Sequence, residues 1–435
     1  MRLALLCVLA ACLATPARAQ YPASVDTLGG PILPPAPAAE ANQAPDPNRV
    51  PYASHRSAGH DALALPAAVW SGVASVFREG VLWAEYNGTL DQARRRLTAP
   101  EPPPFGVTPE LRVGGQEGVV AGGSVYYNDL FGTGRRIRAG ARYGLSGTYS
   151  VTGRFRDPSL FGSRVRFDLE GGYYRDTREA IYFGGNEGSR DDRVRYGYEQ
   201  GLAHATAAVP LPRHISLVLE SRFKHIIVRN GGDVYPEAVY GFGEANLLSG
   251  GASLILDLSE TGGLHAPRRY QGTVFLLGYH YGHDLGGRDF AYHRVAAEVR
   301  QYVPLPFLPF DRRLAVRARL EKTHPPGGYD VPFYEASTLG GAFTLRGYPN
   351  HRFRDEGYLL LNAEYRWPIW TALDGVLFFD AGQVFQRYRG LHLGGVRHNV
   401  GAGVRVYGRD DVAGRVEVAF GPEGPRLIAQ IGTLF

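Results

Sequence analysis

The chain is poor in the residues that would mark several common protein classes. Cysteine occurs twice in 435 residues, at Cys7 and Cys12, both inside an N-terminal stretch with the pattern of an export signal. Cleavage after Ala19 would leave a mature chain without cysteine, which removes disulfides and thiolate chemistry together. No apolar run of 18 or more residues follows that stretch, so a bundle of membrane-spanning helices is excluded. Charge of one sign is also lacking. Lys+Arg number 47 against 42 Asp+Glu, interspersed along the chain, rather than the clustered basic face of a nucleic-acid binder. Neither a G-x-S-x-G elbow nor an H-E-x-x-H helix occurs. His280, His283 and Asp284 come closest to a ligand cluster, but positions 280 and 283 face opposite sides of a strand. No catalytic residue, cofactor or metal is expected, and the chain does not read as an enzyme.

What is abundant is glycine (57), tyrosine (26) and phenylalanine (21), a profile of strands joined by tight turns. Residues 1–19 are expected to be a signal peptide: Arg2, an apolar run from Leu3 to Ala14, and Ala17-Arg18-Ala19 before Gln20. Leu9-Ala10-Ala11-Cys12 also has the form of a lipoprotein box, with a short apolar run before it. Residues 20–65 are a Pro/Ala-rich linker. Residues 66–104 are a helical segment, with Val69, Val73, Val76 and Phe77 at spacings of three and four. Gly72, Gly80 and Gly88 weaken it, so it needs support, either packed against the domain that follows or inserted into it as a plug.

From residue 105 to 435 the texture is alternation. Val165, Phe167 and Leu169 oppose Arg166, Asp168 and Glu170; Leu314, Val316, Ala318 and Leu320 oppose Arg317, Arg319 and Glu321; Arg415-Val-Glu-Val-Ala-Phe420 repeats the pattern. A period of two with charge on the second face fits a sheet with lipid outside and water inside. The fold class expected is all-β, a transmembrane antiparallel β-barrel of about 16 strands. Short turns, such as 211–213 and 368–373, alternate with long loops, placed at 176–192, 231–246 and 324–356. The last strand keeps Leu427, Ala429, Ile431 and Phe435 on one parity, and Ile431 with terminal Phe435 resembles the assembly signal of outer-membrane barrels.

Four stretches carry a more specific likeness. Leu345-Arg346-Gly347-Tyr348 lies in the longest loop, and Phe378-Phe379-Asp380-Ala381-Gly382 on a strand after it. Asn128-Asp129-Leu130-Phe131-Gly132-Thr133-Gly134 and Phe155-Arg156-Asp157-Pro158-Ser159-Leu160-Phe161 are turns near the start of the barrel. In this order they resemble the motifs of the bacterial surface-antigen superfamily, the BamA/TamA-like assembly and translocation barrels of the outer membrane. The resemblance implies that Arg346, with Gly347 and Tyr348, folds into the lumen and pairs with Asp380 and Glu364 on the thirteenth and twelfth strands, next to Gly382. It further implies an outer-membrane location, contact with outer-membrane lipid and lipopolysaccharide, a monomeric barrel, and a protein client or accessory periplasmic protein as partner. Members typically carry periplasmic POTRA domains; residues 20–105 leave room for one without showing its pattern. Two functions therefore remain open, insertion or translocation of proteins or lipids through the arginine loop, and passive diffusion or a structural role as a porin.

Overall fold

The computed structural model describes residues 104–114, 118–230, 240–262, 268–308, 312–370, 373–407 and 412–430. The expected signal, linker and helix lie outside the described residues, as do Ile431 and Phe435. Among the described residues, sixteen antiparallel strands close into a barrel. They are β1 (Phe105–Val113), β2 (Val119–Leu130), β3 (Arg135–Gly144), β4 (Tyr149–Asp157), β5 (Arg166–Ile181), β6 (Val194–Leu211), β7 (Ile215–Asn230) and β8 (Gly243–Asp257). The circuit continues with β9 (Arg268–Asp284), β10 (Ala291–Pro304), β11 (Arg313–His324), β12 (Gly357–Trp370), β13 (Leu373–Phe385), β14 (Arg397–Tyr407), β15 (Val412–Gly421) and β16 (Gly424–Gln430).

Period-two alternation decides which way each side chain points. On β11, Arg313, Ala315, Arg317, Arg319 and Glu321 are buried in the interior while the residues between them face out. On β12, Leu359 and Leu361 are exposed outward and Glu364 is buried. An apolar exterior suits lipid, and an even strand number puts the start of β1 and the end of β16 on one side, the periplasmic side of a bacterial barrel. The long loops then emerge on the opposite, external side.

Two loop boundaries differ from the sequence reading. β5 continues through Thr177 to Ile181, so that the connection is 182–193, and β8 begins at Gly243. Tyr196 and Tyr198 on β6 and Ile226 and Val228 on β7 are buried at this rim with Ile181, so the strands extend because their inward faces have an aromatic core to cover. On the periplasmic side Asp129 Oδ1 closes the first turn motif by accepting from the Gly134 amide at 2.6 Å, and Arg135, directly after it, donates from Nε to Asp157 Oδ2 of the second at 2.8 Å.

β1 and β16 meet to close the barrel, with Val113 paired to Ala429, and β15 and β16 pair from Arg415–Gln430 to Gly421–Gly424.

A lumenal loop seated on a buried ion network

The connection between β11 and β12 turns back into the barrel as a hairpin. Ser337–Leu339 pairs with Phe353–Asp355, in the register Ser337–Asp355, Thr338–Arg354 and Leu339–Phe353. At its tip, the Gly341 amide donates to Tyr348 O at 3.0 Å, and the Thr344 hydroxyl binds the Gly340 amide and carbonyl, each at 2.9 Å. Gly340 (φ 115°) lies in the left-handed region, and a Cβ there would stand 2.2 Å from Pro349 O. One side of the tip is apolar: Leu339, Leu345, Tyr348 and Phe353 pack on Tyr358, Leu360 and Val384, the inward face of β12 and β13.

The other side presents Arg346, whose side chain is 1% exposed. Its Nε and Nη2 fork onto Asp380, at 2.8 Å to Oδ2 and 2.6 Å to Oδ1, and Nη1 reaches Glu364 Oε1 at 2.7 Å and Glu417 Oε2 at 3.4 Å. The guanidinium carbon also stands 3.5 Å from the centroid of the Phe378 ring. A planar, permanently charged fork suits this arrangement in a way an ammonium does not. Burial works against the charge, but Asp380, Glu417 and Glu364 outweigh it and hold the guanidinium well above its ordinary pKa.

The carboxylates are themselves held. Asn362 and Asn399 each donate to Asp380 at 2.8 Å. Arg405 on β14 bridges Glu364 (2.6 Å) and Glu417 (2.8 Å), Arg366 binds Glu364, and Arg415 donates to the loop carbonyl of Ala342 at 2.9 Å. Asn362 and Arg317 similarly bind the loop carbonyls of Thr344 and Phe343. Breaking such a network by removing one member leaves a buried charge uncompensated, at a cost of about 3–5 kcal/mol.

Closer to the rim, a second anchor holds the other limb of the loop. Glu335 is buried and accepts from Lys224 Nζ on β7 at 2.5 Å and Arg294 Nη2 on β10 at 3.4 Å, while its own carbonyl takes a 2.6 Å bond from Arg294. Burial pushes the Glu335 carboxyl up, and Lys224 and Arg294 more than reverse this, leaving it below its ordinary value. Neighbouring Phe333 meets Tyr196 edge-on, with ring centroids 5.1 Å apart. A second loop closes over the first: Asn186 exchanges two hydrogen bonds with the Val384 backbone, at 2.6 and 3.0 Å, and Arg352 binds both Glu423 and Gly188 O at 2.6 Å.

The structure thus brings Arg346, Glu364 and Asp380 into direct contact. Gly347 and Gly382 lie at close approaches, where added Cβ atoms would stand 2.6 Å from Asn399 Cβ and 2.8 Å from Leu339 Cδ1. Tyr348 donates to His398 O at 3.2 Å. Sequence reasoning did not single out Glu417, Arg405, Asn362 or Asn399 for this site. Glu417 was visible as part of a charged face, but its distance from Arg346 depends on register across several strands. Glu335, in an irregular loop, carried no pattern at all.

The profile of the Omp85 superfamily domain matches residues 129–408. The chain belongs to the Omp85 superfamily. The matched residues run from the β2–β3 turn to the end of β14 and include the whole arginine loop. Among solved structures, BamA from Haemophilus ducreyi lacking POTRA domains 1–3 superposes with a TM-score of 0.56 at 14% identity, over 76% of this chain and 70% of that one. CdiB from Escherichia coli gives 0.52 at 12% identity, over 77% of this chain and 64% of CdiB, so the chain spans less than two thirds of CdiB's length. At these identities the likeness is one of fold. Comparison with curated protein sequences finds no match. The protein is an outer-membrane β-barrel of the Omp85 superfamily.

Proposed function

We propose that this Omp85 barrel inserts or translocates proteins, or lipids, at the outer membrane, with the arginine loop as the element that holds the barrel in its working shape. The observation that carries this reading is the seat of Arg346, a loop cation bound at once to carboxylates on three strands, β12, β13 and β15. A passive pore requires no such seat, and a loop held across the lumen obstructs diffusion. Protein clients, an accessory periplasmic partner, a monomeric state and export by a cleaved signal belong to this proposal.

The test has two arms. Single-channel recordings of the refolded full-length protein should show a closed or briefly flickering barrel, and Arg346→Ala should lengthen the openings. Depletion in the producing cell should then lower other outer-membrane proteins or secreted proteins. Large, steady openings of the unaltered protein, with an unchanged outer-membrane and secreted proteome on depletion, would favour the porin reading instead.

A further inference from the structure

The outer wall of β9, β10 and β11 carries two features that the lumenal site does not use, and they lie one above the other. The first is an apolar groove of about 570 Å³ on the lipid-facing side. Ala297 and Ala318 lie between the bulkier Phe275 and Leu277 on one side and Leu320 and Leu359 on the other, so the wall is hollowed where its side chains are smallest. The second is a row of rings closer to the external rim. His283 stacks on Tyr281 (centroids 5.7 Å), Tyr281 meets His293 at 5.0 Å, and His293 stacks on His324 at 5.2 Å. Tyr279 joins the row through a 2.8 Å hydrogen bond between its hydroxyl and His293 Nδ1.

Register ties the two together. On β10, His293 and Ala297 face the same way four residues apart, which is about 13 Å along a strand. On β11, Leu320 and His324 repeat that spacing. The rows therefore match the two parts of one lipid, acyl chains below and a headgroup above. The outward positions of this wall, from Phe275 to His283 on β9, His293 to Val303 on β10 and Leu314 to His324 on β11, include no carboxylate. Lys322 stands among them, bonded to Glu356 at 2.5 Å. The ring row thus offers imidazole N–H and phenol O–H donors, a set that fits phosphate oxygens, while Lys322 is held by Glu356 and the Gln386 carbonyl.

We infer that this wall is a specific site for a phosphorylated, multiply acylated lipid of the outer leaflet, of the lipid A class, with the ring row on a phosphate and the Ala297–Ala318 groove on an acyl chain. An acyl chain entering the groove leaves lipid rather than water, so selectivity comes from the headgroup. The inference rests on the outer-membrane placement of the barrel and is independent of what the arginine loop does.

Native mass spectrometry of the refolded full-length protein in detergent tests it, with diphosphoryl lipid A as the probe and dephosphorylated lipid A and phosphatidylglycerol as competitors. A single-lipid adduct should form with diphosphoryl lipid A and fall at least tenfold with the dephosphorylated form. It should also fall about tenfold in a His283→Ala/His293→Ala/His324→Ala variant and at least threefold in Ala297→Phe. Tyr143→Ala, on the outward face of β3 at the same rim, serves as the control and should retain the adduct. Folding of each variant is checked by its heat-dependent gel shift, and the comparison of phosphorylated with dephosphorylated lipid requires no variant. Equal retention of both lipid A forms, retention of phosphatidylglycerol as strong as that of lipid A, or an equal loss in Tyr143→Ala would overturn the site.

Discussion

The two sides of the barrel interior are built from the same pattern and end in different states. On β1 to β5, inward charges pair strand to strand, Arg138 on β3 with Glu110 on β1 at 2.9 Å across β2, and Arg154 on β4 with Asp168 on β5 at 3.0 Å. No loop group takes part in these pairs, and Arg138 and Glu110 keep 16% and 18% of their side chains exposed. On β12 to β15, inward charges of the same types are covered by the hairpin from 337 to 355, and Arg346 and Glu364 are at 1% and 0%. Alternation alone makes a charged wall. A loop that brings its own charge and apolar side turns one part of that wall into a dry seat. The energetic consequence is a gradient: a pair such as Arg138–Glu110 that keeps part of its surface open is worth less, whereas the fully enclosed members become costly to remove.

That contrast is sharpest at Arg346. Arg346→Ala should destabilise the barrel by about 3–5 kcal/mol and expose the loop to protease, read as cleavage within 325–356 and a lowered urea midpoint. Arg346→Lys should recover only part of this, since an ammonium does not fork onto Asp380 while reaching Glu364. A barrel that keeps the wild-type midpoint and cleavage pattern with alanine at 346 would contradict the seat.

Lys224→Met comes next, at about 2–3 kcal/mol, because Arg294 remains bonded to Glu335. The same anchor gives a pH effect of defined sign. The folded-state pKa of Glu335 is depressed, so its stabilisation is present above the unfolded value of about 4.3 and is lost as pH falls through the lower folded value. Cleavage of the loop limb near 333–335 should therefore rise on acidification below about pH 4.3, and Glu335→Gln should flatten that increment. An identical acid profile in both proteins would remove Glu335 as the cause.

Gly347→Ala should cost about 1–3 kcal/mol by overpacking, since the new methyl meets Asn399, which donates to Asp380. Its urea midpoint should lie between those of Arg346→Ala and the unaltered protein. The smallest effect belongs to the open side: Arg138→Ala should change stability by less than about 1 kcal/mol, with no change in loop cleavage. A loss there as large as at Arg346 would dissolve the distinction between the two walls.

Much of this architecture is legible in the chain before folding. Leu359 and Leu361 against Glu364 and Arg366 already separate lipid from lumen, because a strand places successive side chains on opposite faces whatever its neighbours are. The length of the loop and its glycines announce a backbone that must turn tightly, and the four motifs pointed to Arg346, Asp380 and Glu364. The extent of β5 was less legible, since the residues from Thr177 to Ile181 are held as strand by a core assembled from β6, β7 and the loop.

The sequence by itself determined the face of each strand residue and the approximate strand number, since these depend on local periodicity and spacing, and the resemblance of its motifs singled out the loop cation. Only the tertiary structure decided that Arg405 and Glu417 enclose Glu364, that Glu335 finds Lys224 across 111 positions, and that the ring row stands above an apolar groove. Those pairings follow from the register and closure of the barrel, which set distances between residues remote in the chain and have no short-range sequence signature.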